Sequence, residues 1–131
     1  GGRDTWNEKY LDVYRGNLAT MRDEAARREV RIFFCLLPYD LARAPELYTM
    51  EGFRYSRDGY RKFWEHVQGI IREEAGGSVI DLPSAIGERV SEPEVFIDYN
   101  HLGPEGHRLV AAEIGRELLS TGAAGDSRSA R

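Results

Sequence analysis

The stretch "VRIFFCLL", residues 30–37, constrains the fold more than any other part of the chain. It lacks the regular polar–apolar alternation of a strand with one wet face. It therefore reads as a strand covered on both faces, the usual state of a strand in a parallel sheet. Pro38 ends it, because proline has no N–H to give to a ladder. Such a strand needs helices around it, and the flanking sequence supplies them. Thr5-Trp6-Asn7-Glu8 has the pattern of a capping box. Trp6, Tyr10, Val13, Leu18, Met21 and Ala25 then recur at helical spacing, predicting a helix over about 5–28. Residues 39–55 read as a long loop. Ser56 or Asp58 opens a second helix, whose apolar stripe is Tyr60, Phe63, Trp64, Val67, Ile70 and Ile71 and whose stop is Gly76-Gly77.

"SVIDL", residues 78–82, reads as a second strand, so the two strands and the helix between them form a βαβ unit, which is right-handed almost without exception. Residues 83–94 are irregular or briefly helical, and 95–97 are an extended approach to Asp98. Pro104 after Gly103 starts a last helix, since proline is tolerated at the first helical position. Val110, Ala111, Ile114 and Leu118 carry that helix to about Leu119. The remaining "STGAAGDSRSAR" is small and polar and reads as a disordered tail.

The expected fold is thus α/β: part of a three-layer α/β/α, flavodoxin-like domain over residues 1–119, with a tail over 120–131. Two strands leave a parallel sheet with open edges, so the domain's N-terminal strands are expected to be missing and self-association through the open edge is a possible partner interaction. The 18 basic and 22 acidic residues are interleaved, as at Arg22-Asp23-Glu24, which argues against nucleic acid as a partner. No apolar run reaches the roughly 18–20 residues of a membrane span. Cys35 is the only cysteine, buried in the first strand and inert by this reading. The chain opens at Gly1, so the sequence does not distinguish a cytoplasmic from a secreted location.

"FIDYNHLGPEGH", residues 96–107, carries the chemistry. In open α/β sheets ligands sit beyond the carboxyl ends of the strands, and Asp98 and His101 lie in a loop of that kind. Three-residue spacing in a turn lets the carboxylate accept the histidine's Nδ1–H. That bond aims Nε2 outward and stabilises the imidazolium. The same spacing also describes a turn-forming aspartate and a surface histidine beside a helix cap, so two residues do not decide the matter.

The longer stretch "FIDYNHLGPEGHRLVAAEI" resembles the final block of the SGNH (GDSL-like) hydrolases, in which Asp-x-x-His precedes a helix opening with Pro-Glu-Gly-His. "GGRDTWNEKYLDVYRGNL" resembles that family's Gly-x-Asn-Asp block and following helix, and "VRIFFCLLP" its next strand. The resemblance implies an SGNH-type fold of which this chain is the C-terminal portion, with His101 as general base and Asp98 as its orienting carboxylate. It implies hydrolysis of a carboxylic ester, carried by a small molecule, carbohydrate or lipid, through an acyl-serine and without a cofactor. Arg3 stands where the family has its oxyanion-hole asparagine, and Asp4 matches the motif's aspartate. Arg3 is equally read as an inactive terminal residue, and Asp4 as a helix cap.

The family's nucleophilic serine precedes the Gly-x-Asn-Asp block, and no counterpart is found. Gly125-Asp126-Ser127 spells the tripeptide but has no strand to hold it. Ser78 enters its strand from the amino end, and Ser84 and Ser91 lie in irregular segments. The isolated chain is therefore expected to be inactive, as the base-bearing part of an esterase or lipase. The alternative is a non-catalytic α/β binding or assembly module, which Arg3 and the absent serine favour. His66 and His107 form no metal-ligand spacing with His101, and a metal set of Asp98, His101 and His107 is the weakest reading. Tyr39, Arg43 and Tyr55 either line a cleft or cover the core.

Overall fold

The computed structural model describes the backbone of residues 6–50 and 53–126 and the side chains of 6–46 and 55–121. The fold is mixed α/β and mostly helical, with a small two-stranded parallel sheet. The chain divides into two compact units, residues 1–36 with 41–79, and residues 37–40 with 80–131.

In the first unit, helix α1 spans Glu8–Arg27 and is capped by Asn7, whose side chain accepts from the Lys9 N–H at 3.0 Å. The cap thus lies two residues after the Thr5 expected from the capping box, and Thr5 is outside the described residues. The buried row is Leu11 and Leu18 with Tyr14 against the same core, while Tyr10, Val13 and Met21 are exposed. Of the predicted stripe Leu18 and Trp6 face this core, while Leu11 and Tyr14 take the places expected of Tyr10, Val13 and Met21. The partner helix makes the choice: Arg15 reaches Glu73 and Glu74, and Arg22 reaches the side chain and carbonyl of Glu74.

The end of α1 also shortens the first strand. Glu29 takes a left-handed conformation at φ 55°, and the Val30 N–H returns to the Ala25 carbonyl at 2.9 Å. This is a Schellman closure without its usual glycine. It uses Val30 in the helix terminus and leaves its side chain exposed. Strand β1 is confined to Phe34–Leu36, not 30–37, and Leu36 is fully buried.

Residues expected to be loop instead form a 3-10 turn at Leu41–Arg43 and an antiparallel hairpin. Its strands are β2, Leu47–Met50, and β3, Phe53–Ser56, in a register that pairs Leu47 with Ser56 and Met50 with Phe53. The next segment matches expectation. Helix α2, Arg57–Ala75, begins with the Ser56 hydroxyl accepting from Gly59 N–H at 3.0 Å and ends at Gly76, φ 58°. Val67, Ile70 and Ile71 join Leu11, Leu18 and Leu36 in one core, with Phe34, Phe63, Trp64 and Val79 packed around it. Strand β4, Val79–Asp81, pairs with β1, and the Phe34 N–H donates to the Ser78 carbonyl at 2.8 Å. The connection from β1 to β4 is thus an α-helix preceded by a hairpin rather than a helix alone.

In the second unit, the Asp81 side chain caps the short helix α3, Leu82–Ile86, by accepting from Ser84 N–H at 3.1 Å. A 3-10 turn follows at Gly87–Ser91. Helix α4 runs Pro104–Asp126, past the Leu119 where the apolar periodicity stops. The Ser120 and Thr121 hydroxyls fold back onto the Glu117 carbonyl there, at 2.9 and 3.0 Å. Ile86, Val95 and Phe96 form this unit's core, with Val90, Leu102, Leu109 and Val110 against it. Among the described residues, no helix is long and apolar enough to cross a membrane.

The buried face of α1 gives a direct test. Leu18→Ala is expected to cost about 2–5 kcal/mol of unfolding free energy in urea, as for other buried leucines. Met21→Ala should stay within about 0.5 kcal/mol of wild type. Equal losses would place Met21 in the core beside Leu18.

Candidate functional site: an aspartate–histidine pair on a pinched loop

Residues 94–106 double back on themselves. Phe96 and Leu102 form an antiparallel bridge, the Ile97 N–H donates to the His101 carbonyl at 2.8 Å, and the Gly103 N–H donates to the Val95 carbonyl at 2.8 Å. A looser bond runs from the Glu105 N–H to the Glu94 carbonyl at 3.3 Å. Two glycines permit this neck. A Cβ on Gly103 would overlap the Glu94 carbonyl oxygen, and one on Gly106 would overlap the Val95 carbonyl oxygen and meet Leu102 Cδ2 at 2.9 Å. Val95 and Phe96 are almost wholly buried, so the neck is anchored in the core. Only the tip, 97–101, projects.

The tip organises itself around one carboxylate. Asp98 Oδ1 accepts the Asn100 N–H at 3.0 Å and the His101 N–H at 2.8 Å, an Asx-type turn. Oδ2 lies 2.7 Å from His101 Nδ1. These contacts hold the Asp98 carboxyl down to about 2, the Asn100 amide contributing most, then the His101 ring, then the His101 amide. With Oδ2 charged, Nδ1 carries the donated proton and Nε2 is left as the lone-pair nitrogen. The His101 side chain is 72% exposed and that of Asp98 45%. The ring nitrogen that does not face Asp98 thus belongs to a largely exposed side chain. The loop after β1 supports the tip from below, through the Asp40 N–H donating to the Tyr99 carbonyl at 2.7 Å.

The other sequence candidates have different surroundings. Tyr55 is buried in the first unit and stacks on Phe63 with ring centroids 5.9 Å apart, so it covers core. His66 also belongs there, with Nε2 3.9 Å from Glu8 Oε2 and its ring 5.6 Å from that of Trp6. His107 gives its N–H to the Gly103 carbonyl at 2.9 Å, in the first turn of α4. Burial pushes the Cys35 thiol up, which keeps it protonated rather than nucleophilic. Arg3, Asp4 and Ser127 lie outside the described residues. Among the described residues, no serine hydroxyl is hydrogen-bonded to His101: Ser56 caps α2, Ser91 donates to the Glu88 carbonyl and Ser120 to that of Glu117. Nor does any group of three histidine, cysteine, aspartate or glutamate side chains among them stand ready to hold a metal ion.

Sequence reasoning found the pair but missed an ion cluster at the neck of its loop. Arg89 donates through Nε and Nη2 to both carboxylate oxygens of Glu92, at 2.9 and 2.8 Å, and through Nη2 to Glu105 Oε1 at 2.7 Å. With Pro93 and Glu94 these side chains line an open hollow of about 460 Å³ beside the neck. Glu105 also accepts from Arg108, and the two guanidiniums hold its carboxyl down to about 2, Arg108 contributing more.

No protein-family model, no curated protein and no solved structure matches this chain.

The hydrogen bonds to Asp98 set a pH window. Its folded pKa lies below the ordinary value of 3.8, so the tip's order is fully present above about pH 4 and is lost as pH falls through about 2. A carbon-13 titration of the Asp98 carboxyl should show its midpoint near 2. His101→Ala should raise that midpoint but leave it below 3.8, because the two backbone donors remain. Return to the ordinary value in His101→Ala would assign the whole depression to the ring.

Proposed function

We propose that Asp98 and His101 are the orienting carboxylate and general base of a serine ester hydrolase of SGNH type. In this reading the nucleophilic serine and the glycine oxyanion donor lie in polypeptide beyond the residues of this chain, and Arg3 stands at the position of the family's oxyanion-hole asparagine. The observation that carries the proposal is the 2.7 Å bond from His101 Nδ1 to an ionised Asp98, with Nε2 left exposed. The resemblance of residues 96–114 to the family's last block, and a helix opening at Pro104 directly after the pair, support it. In the same unit Leu37 and Ile97 are exposed although apolar, as expected of surfaces that further strands of a three-layer α/β/α domain cover.

The reaction this pair serves is acyl transfer. Nε2 takes the proton of a serine hydroxyl as the oxygen attacks the ester carbonyl, and Asp98 stabilises the imidazolium without itself being protonated. The imidazolium returns the proton to the departing alcohol. Water, deprotonated by the same nitrogen, then releases the acid. Esters of small molecules, sugars and lipids are served alike, because the pair touches only the travelling proton.

A second reading, a binding or assembly module that kept the fold without the chemistry, is favoured by the lack of a hydroxyl partner for His101 among the described residues. The test separates the two. In a polypeptide extended by the upstream coding sequence, His101→Ala should lower kcat on a p-nitrophenyl ester by about 10²–10⁴-fold. The 131-residue chain alone should show no mass increase with a fluorophosphonate. Unchanged hydrolysis in the extended His101→Ala protein, or a serine adduct on the short chain, would overturn the proposal.

A further inference from the structure

We infer that Arg89 is a positioning residue for the Asp98–His101 pair, acting as a clamp across the neck of the loop that carries it. The inference rests on the proposed role of the pair, which it deepens by naming what holds the pair in place.

The clamp joins the two arms of the loop. Glu92 lies three residues before Val95 on the ascending arm, and Glu105 lies on the first turn of α4, where the descending arm ends. One guanidinium binds both, two-pronged to Glu92 and through Nη2 to Glu105. It sits where the backbone is least secure, since the Glu105 N–H reaches the Glu94 carbonyl only at 3.3 Å. Beyond this level the ladder tightens to 2.8 Å at Gly103–Val95 and again at Ile97–His101. The chain at Glu94 and Val95 rests against Gly103 and Gly106 with no room for a methyl group. A splayed neck would therefore break that close contact and relax the tip at once.

A lone exposed ion pair does little for stability. Here the effect is geometric, because bidentate arginine–carboxylate contacts fix direction as well as distance. The neighbouring Arg108 serves as an internal control. It pairs with the same Glu105, but from within α4, so it carries like charge without crossing the neck.

The experiment compares Arg89→Met, Arg89→Lys, Glu105→Gln and Arg108→Met in the 131-residue chain, each first checked for a cooperative unfolding transition. Two signals of the tip are read: the carbon-13 titration midpoint of Asp98 and the hydrogen exchange of the Asn100 and His101 amides that bind it. Arg89→Met and Glu105→Gln should raise the Asp98 midpoint by roughly half a unit or more as its donors loosen. They should also speed exchange of both amides. Arg89→Lys, which keeps the charge but not the fork, should fall between, and Arg108→Met should match wild type. If Arg89→Met does not fold, the same contrast between Glu105→Gln and Arg108→Met decides.

Equal shifts in Arg89→Met and Arg108→Met would reduce the effect to charge and overturn the clamp. So would unchanged tip signals in a destabilised Arg89→Met. Neither result bears on whether the extended protein hydrolyses esters through His101, so the two proposals fail separately.

Discussion

The carbonyl oxygen of Val95 accepts the Gly103 N–H while lying so close to Gly106 that a side chain there would overlap it. Much of the second unit follows from this contact. It presses residues 94–95 against the start of α4, where Val95 and Phe96 complete a core with Ile86. It also forces the intervening residues outward as a closed tip. The site is exposed because its base is too tightly packed to admit it. A rigid base with a polar tip is what a proton-transfer group needs, since misplacement by an ångström is costly to such chemistry.

Charge then completes what packing begins. Asp98 is ionised across nearly the whole pH range because two amides and a ring hold it, not because it is buried. Its negative charge favours a proton on His101 Nδ1, and the sharing of oxygens, Oδ1 to the backbone and Oδ2 to the ring, fixes the plane in which that proton lies. Among the described residues of the first unit the one histidine, His66, lies 3.9 Å from Glu8 Oε2, beyond hydrogen-bond distance. Arg15 and Arg22 of that unit tie α1 to Glu73 and Glu74 of α2 and so register one helix on the other.

Local signals were legible where one residue type has one structural use. Ser56, the apolar stripe of 60–71 and Gly76 gave α2 almost to the residue. Pro104 gave the start of α4, and the three-residue spacing gave the contact of Asp98 with His101. The face of α1 was legible only at Trp6 and Leu18, because Tyr10, Val13 and Met21 are as apolar as Leu11 and Tyr14, and only α2 chooses between them. The strand over 30–37 was overextended because nothing in the sequence announces that Glu29 will take the left-handed turn of a glycine. The hairpin passed for loop because each of its strands is only four residues long. Arg89 and Glu105 stand sixteen residues apart on different elements, and no local pattern joins them.

The central claim is that His101 presents a lone pair at Nε2 because Asp98 holds the proton on Nδ1. Nitrogen-15 spectra of the imidazole, recorded at a pH where the ring is neutral, test it most directly. The account predicts a protonated Nδ1 and an unprotonated Nε2 in the wild-type chain, with Asp98→Ala relaxing toward the Nε2–H form that free histidine prefers. A wild-type ring already protonated at Nε2 would contradict it, leaving no lone pair there to take the serine proton that the proposed reaction requires.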